Sequence, residues 1–285
     1  MTQMKKFFKK NQTALLILAL VILFLTILIP VRMKDARRQN GQNNLPAAES
    51  PATVTIAPDT RTVVEVPILM YHHIRAYNDP NDKIGTNLSV PPENFIAQIK
   101  YLKDNGYSTI TFSDLLAFPT KKLVDKPVII TFDDGYNDAF ANAYPALKQN
   151  GQVGVFYIIS GFLGRPDFLT ADQVKQMSDD NMEIGSHTID HPDLTTLGQA
   201  KLTNELTGSK SSLETIIGKT VTSFCYPSGQ HNVTVDETVK QAGYLTATTT
   251  EAGIITTSTN KYALARLRIN PTDTLSTFNK KLTGK

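Results

Sequence analysis

From Val63 onward two patterns alternate along the chain. Short, mainly apolar runs read as strands covered on both faces: "VPILMY" (66–71), "PVIITF" (127–132), "VGVFYIIS" (153–160), "TSFCYP" (222–227) and "LARLRI" (264–269). "YSTIT" (107–111), "MEIGS" (182–186) and "LTATTT" (245–250) read as further strands. Between them lie segments with apolar residues three to four apart. "PPENFIAQIKYLKDNG" (91–106) puts Phe95, Ile99 and Leu102 on one face and ends in glycine. "SDLLAF" is a short helix with Ser113 as its expected cap, and "TADQVKQMSDD" a helix capped by Thr170. "NDAFANAYPALKQNG" reads as a helix despite Pro145. "GQAKLTNELTGSKSSLETIIGK" is long, and "VDETVKQAGY" and "TLSTFNKKL" follow later. Strand–helix alternation of this kind predicts a parallel sheet with helices on its faces. About seven such units predict a closed or nearly closed β/α barrel, with an open doubly wound sheet as the alternative.

The pattern is different before Val63. Residues 13–31, "TALLILALVILFLTILIPV", are uncharged and long enough to cross a bilayer as a helix. A cleaved signal has a shorter apolar core and a small-residue cleavage site, and "IPVRMKDARRQ" offers none. An uncleaved signal anchor is expected, with a cytoplasmic basic head over 1–12 that carries Lys5, Lys6, Lys9 and Lys10. Secretion after cleavage is the alternative. Residues 32–62 are rich in Asn, Gln, Ala and Pro and read as a flexible tether. One catalytic domain over 63–285, held on the outer side of the cell membrane, is the expected organisation.

Charge must be read by segment. Nine of the 29 Lys and Arg and three of the 26 Asp and Glu fall in residues 1–62, leaving 20 basic and 23 acidic residues in the domain. A nucleic-acid surface is therefore not expected. A single cysteine, Cys225, excludes an internal disulfide and a cysteine-rich zinc site. A monomer is expected.

The polar residues that carry chemistry fall where strands end. His72 and His73 follow "PILMY", Asp133 and Asp134 follow "VIITF", and His187 follows "MEIGS". A β/α barrel builds its site at the carboxyl ends of its strands, so these segments should converge. His187 and His191 are spaced i, i+4, which on a helical turn would let both imidazoles grip one divalent metal. Two adjacent carboxylates repel unless a cation is present. With Asp134 on a metal, Asp133 is free to take a proton from water. Gly135 permits a sharp turn there. A plain solvated turn at Asp133–Gly135, and a chance histidine pair, are the simpler readings that convergence would exclude.

Together, "TFDDG" (131–135) and "SHTIDH" (186–191) resemble the first two motifs of the polysaccharide deacetylases of the NodB-homology type, carbohydrate esterase family four. The resemblance covers roughly 63–285. It implies a distorted (β/α)7 barrel, Asp133 as catalytic base, and Asp134, His187 and His191 as ligands of a divalent metal, zinc first, with Co2+, Ni2+ or Mn2+ as alternatives. The third family motif, R-x-P-Y-G, is altered to "CYPSG" (225–229). Cys225 stands at the position of the arginine that orients the base. Ser228 stands at the position whose backbone N–H receives the oxyanion, flanked by Tyr226, Pro227 and Gly229 as supporting residues. The fifth motif, L-x-H, is matched only by "LAR" (264–266), without histidine. One branch of the family, which includes enzymes acting on exported poly-N-acetylglucosamine, takes its acid histidine from the first strand. "MYHHI" resembles that branch, which implies His72 as the general acid and His73 as structural. Arg266 or Arg268 is expected to supply the missing positive charge.

The implied reaction removes N-acetyl groups from N-acetylglucosamine units of a cell-wall polymer such as peptidoglycan, or of an exported polysaccharide, and releases acetate. The partners expected are that polymer and the cell membrane. An O-acetyl esterase with the same residues, or an inactive glycan-binding protein, are the competing functions. A phosphatase reading lacks a phosphate-cradling glycine loop.

Overall fold

A computed structural model describes residues 63–284. Seven parallel strands form its centre: β1 Ile68–Tyr71, β2 Pro127–Phe132, β3 Val155–Ile158, β4 Glu183–Ser186, β5 Ser223–Cys225, β6 Thr246–Ala252 and β7 Leu264–Arg268. Each pairs with the next, and the ring closes where Leu267 of β7 lies beside Leu69 of β1. The sheet is thus a closed (β/α)7 barrel, and the open doubly wound arrangement is excluded. Its distortion has two sources. β4 and β5 share only the Ser186–Phe224 pairing, and β6 slips register against β7 between Thr248 and Ala252. The "YSTIT" run contributes only Ser108–Thr109, a short strand beside the start of β2.

Closure divides the strand side chains between two apolar cores, which is why most strand runs are apolar on both faces. Ile68, Ile129, Val155, Tyr157 and Leu264 fill the barrel with Cys225. Leu69, Ile130, Phe132, Phe156 and Phe224 point outward to the helices. Helix Pro92–Asp104 buries Phe95, Ile99 and Leu102 as its spacing predicts. Phe95 meets Tyr71 edge to face at 5.3 Å, and truncating it would cost about 3–5 kcal/mol.

Two local expectations change. The helix Phe112–Ala117 is capped by Thr111, which forms a capping box with Asp114; Ser113 lies inside the helix and gives its N–H to Glu183. The segment around Pro145 is a π-helical turn, Ala139–Ala143, followed by the α-helix Tyr144–Gln149. Proline has no N–H to give to the preceding turn, so it starts the α-helix instead of lying within one. The apolar stretch 13–31, the basic head and the tether lie outside the described residues. Among the described residues no helix is long and apolar enough to cross a membrane.

Candidate active site

The carboxyl ends of five strands bring the candidate residues together. His72 follows β1, Asp133 and Asp134 follow β2, His187 follows β4, Cys225 ends β5 and Arg266 lies in β7. The backbone is strained here. Seven non-glycine residues among those described have positive φ, and four of them are Asp134 (72°), Thr188 (69°), His191 (57°) and Ser228 (53°). Such conformations persist where surrounding contacts impose them, and they gather at functional sites.

Asp133 is buried, and its N–H donates to the Tyr71 carbonyl at 2.9 Å. Arg266 grips its carboxylate with two hydrogen bonds, Nη1 to Oδ1 and Nη2 to Oδ2, both 2.7 Å. Burial alone would raise the Asp133 carboxyl. The charge and hydrogen bonds of Arg266 outweigh it and hold the group below the usual carboxylate range. Arg266 also donates from Nε to the Thr249 carbonyl at 2.8 Å and from Nη1 to Thr131 Oγ1 at 3.0 Å. Arg268, two residues on, is exposed and does not pair with Asp133, although its charge is felt at His72. His72 Nε2 lies 3.9 Å from Asp133 Oδ2, and burial pushes its imidazole down. His73 faces elsewhere. Its Nδ1 lies 2.6 Å from Asp138 Oδ2, and its ring stacks on Tyr136 at 3.5 Å.

Asp134 turns away from Asp133 because the chain runs left-handed through Asp134 and Gly135, the latter at φ 78°. Its Oδ1 lies 3.3 Å from His187 Nε2 and 3.7 Å from His191 Nε2. Two ligands about 2.0–2.1 Å from a tetrahedral centre are about 3.3 Å apart, so this set fits one divalent cation. His187 Nδ1 lies 2.7 Å from the Cys225 carbonyl oxygen. That oxygen only accepts, so the proton is on Nδ1 and Nε2 presents its lone pair. A second group, Asp133, His187 and Cys225, is equally compact. Arg266 already occupies both Asp133 oxygens and lies 3.2 Å from Cys225 Sγ, so a cation there would face a guanidinium.

The helical turn expected for His187 and His191 is absent. The segment is a loop, turned by Thr188, whose Oγ1 accepts the His191 N–H at 2.9 Å. Glu205, on the long helix Gln199–Ile217, holds the loop by accepting the N–H groups of Ile189 and Asp190 at 2.9 and 3.1 Å. Sequence reasoning missed Glu205. The available signal was a carboxylate on the buried face of that helix, beside Leu202, Leu206 and Leu213. It also missed Tyr136, whose phenol pKa is raised by burial and then by the negative charge of Asp134.

The altered third motif forms the turn Pro227–Gly229. Ser228 is exposed at the rim. At Gly229, φ 73°, a Cβ would fall 2.1 Å from Thr250 Oγ1, so glycine is required. Pro227 is buried, and Tyr226 points into the core beneath the turn, away from the rim.

Comparison with known proteins agrees with this geometry. The family model described as polysaccharide deacetylase matches residues 120–247. YxkH of Bacillus subtilis (strain 168), provisionally named a polysaccharide deacetylase, is 36% identical over 214 residues, 74% of this chain and 74% of that protein. Poly-beta-1,6-N-acetyl-D-glucosamine N-deacetylase of Staphylococcus aureus (strain MRSA252) is 28% identical over 225 residues, 71% of this chain and 78% of its own length. Among solved structures, the Streptococcus pyogenes deacetylase PplD in complex with acetate is 31% identical with a TM-score of 0.72, covering 78% of this chain and 99% of that one. By motifs, fold and relatives alike, this chain belongs to the polysaccharide deacetylases.

Proposed function

We propose that the chain is a metal-dependent N-deacetylase of N-acetylglucosamine units in a polysaccharide. The observation that carries this reading is the split of two adjacent carboxylates. Asp133 is locked to Arg266, while Asp134 joins His187 and His191. A plain acidic turn would need neither arrangement.

Asp134, His187 and His191 would hold the metal. When bound, it supplies Lewis acidity to the amide carbonyl and to the attacking water. Asp133, kept ionised by Arg266, takes the proton from that water. The Ser228 N–H donates to the oxyanion as the carbonyl carbon becomes tetrahedral. His72 gives a proton to the departing amine, and acetate is released. Arg266 takes the place of the arginine missing at Cys225.

The S. aureus relative favours β-1,6-linked poly-N-acetylglucosamine as the polymer, ahead of peptidoglycan. The apolar stretch at 13–31 favours a cell-surface enzyme on a membrane anchor.

The test is acetate release by the full metal-loaded chain from β-1,6-linked N-acetylglucosamine oligomers, chitooligosaccharides and peptidoglycan, beside Asp133→Asn and His72→Ala. Release that both substitutions abolish is expected. Release only from O-acetylated xylan would replace the amidase with an esterase. Metal binding with no release from any of these would leave a glycan-binding protein.

A further inference from the structure

One carboxylate holds both ends of the turn that presents Ser228. Left-handed backbone costs a non-glycine residue roughly 1–2 kcal/mol, so the Ser228 conformation must be imposed by its surroundings. On the near side the ring of Tyr226 is buried under the turn. Its hydroxyl lies 2.9 Å from Asp236 Oδ1 and 3.0 Å from the Tyr262 carbonyl oxygen, two acceptors for one proton. On the far side His231 Nδ1 donates to the same Asp236 Oδ1 at 3.0 Å. The His231 and Tyr226 rings stack with centroids 4.9 Å apart and planes 19° from parallel.

Asp236 is itself well placed to serve as an anchor. It lies in the first turn of the helix Val233–Gln241, whose N-terminus is capped by Asn232. The unpaired N–H groups at that end favour a carboxylate. The strain at Ser228 and Gly229 therefore lies between two residues fixed to one atom of a regular helix. With His73, His231 is one of two histidines that the proposed chemistry leaves unused.

We propose that Asp236 is a positioning residue of the reaction: by binding Tyr226 and His231 to a single oxygen, it sets the direction of the Ser228 N–H. This inference rests on the reading of Ser228 as the oxyanion donor. Asp236 acts through the turn and does not touch the reacting atoms.

The test compares full-length wild type with Asp236→Ala, Asp236→Asn and the double variant Tyr226→Phe/His231→Phe. It measures kcat and KM for acetate release from β-1,6-linked N-acetylglucosamine oligomers, bound metal and melting temperature. Asp236→Ala is expected to lower kcat about 10–100-fold, below the full loss of an oxyanion donor, with KM changed less than about twofold and metal retained. Asp236→Asn keeps an acceptor oxygen and should remain within about threefold of wild type. The double variant keeps both rings and loses both bonds to Asp236, so it should match Asp236→Ala. It also decides the matter if Asp236→Ala does not fold. A folded variant lacking both bonds, with kcat within about twofold of wild type, overturns the inference. Wild-type chain with no turnover overturns the deacetylase reading instead, and this inference with it.

Discussion

Arg266 meets Asp133 end on, with one guanidinium nitrogen on each carboxylate oxygen at 2.7 Å, and no part of the arginine reaches solvent. The arginine comes from β7, whereas the family pattern places it on β5, at Cys225. The Cys225 thiol lies 3.2 Å from Arg266 Nη2 and 3.7 Å from Asp133 Oδ2. A small side chain on one strand thus leaves room for a long one from another, and a guanidinium still grips Asp133, the proposed base.

Removing one partner of a buried ion pair leaves the other charge uncompensated and costs about 3–5 kcal/mol. Arg266→Ala should therefore lower the melting temperature by roughly 10 °C. It should also lower kcat/KM by about 100-fold or more, because Asp133 loses its orientation. Calorimetry and acetate release check the two effects. Unchanged kcat would remove Arg266 from the proposed machinery.

If the two strands are alternative sources of one guanidinium, the exchange should be reversible. Cys225→Arg alone places two guanidinium groups and extra volume around one carboxylate, which overpacks the barrel and destabilises it by about 1–3 kcal/mol. Cys225→Arg combined with Arg266→Cys should recover more activity than either single change predicts. A double-mutant cycle on kcat/KM would show coupling of at least about 1 kcal/mol. Simple additivity of the two losses would show that only β7 can supply the group.

Much of this site could be read in the sequence, because strand ends converge in a barrel and Asp133, Asp134 and His187 each follow an apolar run. The His187–His191 spacing was read through the wrong geometry. The i, i+4 rule assumes a helix, whereas Thr188 at φ 69° turns a loop that brings the same two rings together. Arg266 could be placed only by position, since nothing local in "LARLR" distinguishes the buried arginine from Arg268, exposed two residues further along the same face. Alternation puts both on one face of the strand, so only their depth along the barrel, which the closed fold sets, separates them. Glu205 was hidden for a related reason, because its partners are backbone N–H groups, which have no sequence signature.

Metal retention should depend on Glu205 as well as on the three proposed ligands. Asp134→Ala, His187→Ala or His191→Ala is expected to weaken metal affinity by more than about 100-fold. Glu205→Ala frees the Ile189 and Asp190 N–H groups and releases the loop that carries His191, so about 10–100-fold weaker binding is expected. Glu205→Gln keeps an acceptor and should lose less. Competition with a chelator, read by metal analysis of the recovered protein, ranks the variants. Wild-type retention in Glu205→Ala would show that the loop holds itself.

At the opposite end of the barrel, Glu183 should give the protein a pH dependence unrelated to its chemistry. Its Oε2 accepts the Ser113 N–H at 3.1 Å and the Ser113 hydroxyl, while its Oε1 is buried without a hydrogen-bond partner in the protein. Burial is the main cause that raises its pKa. A carboxyl raised on folding favours the folded state while it is protonated. That contribution is complete below the ordinary glutamate range, near roughly pH 4–5, and is lost as pH rises through the higher folded value. Glu183→Gln keeps an oxygen for Ser113 and never ionises. The variant should therefore melt at a higher temperature than wild type at about pH 8 and close to it at about pH 4, with kcat unchanged. Parallel melting curves across that range would show that Glu183 stays charged at the barrel floor.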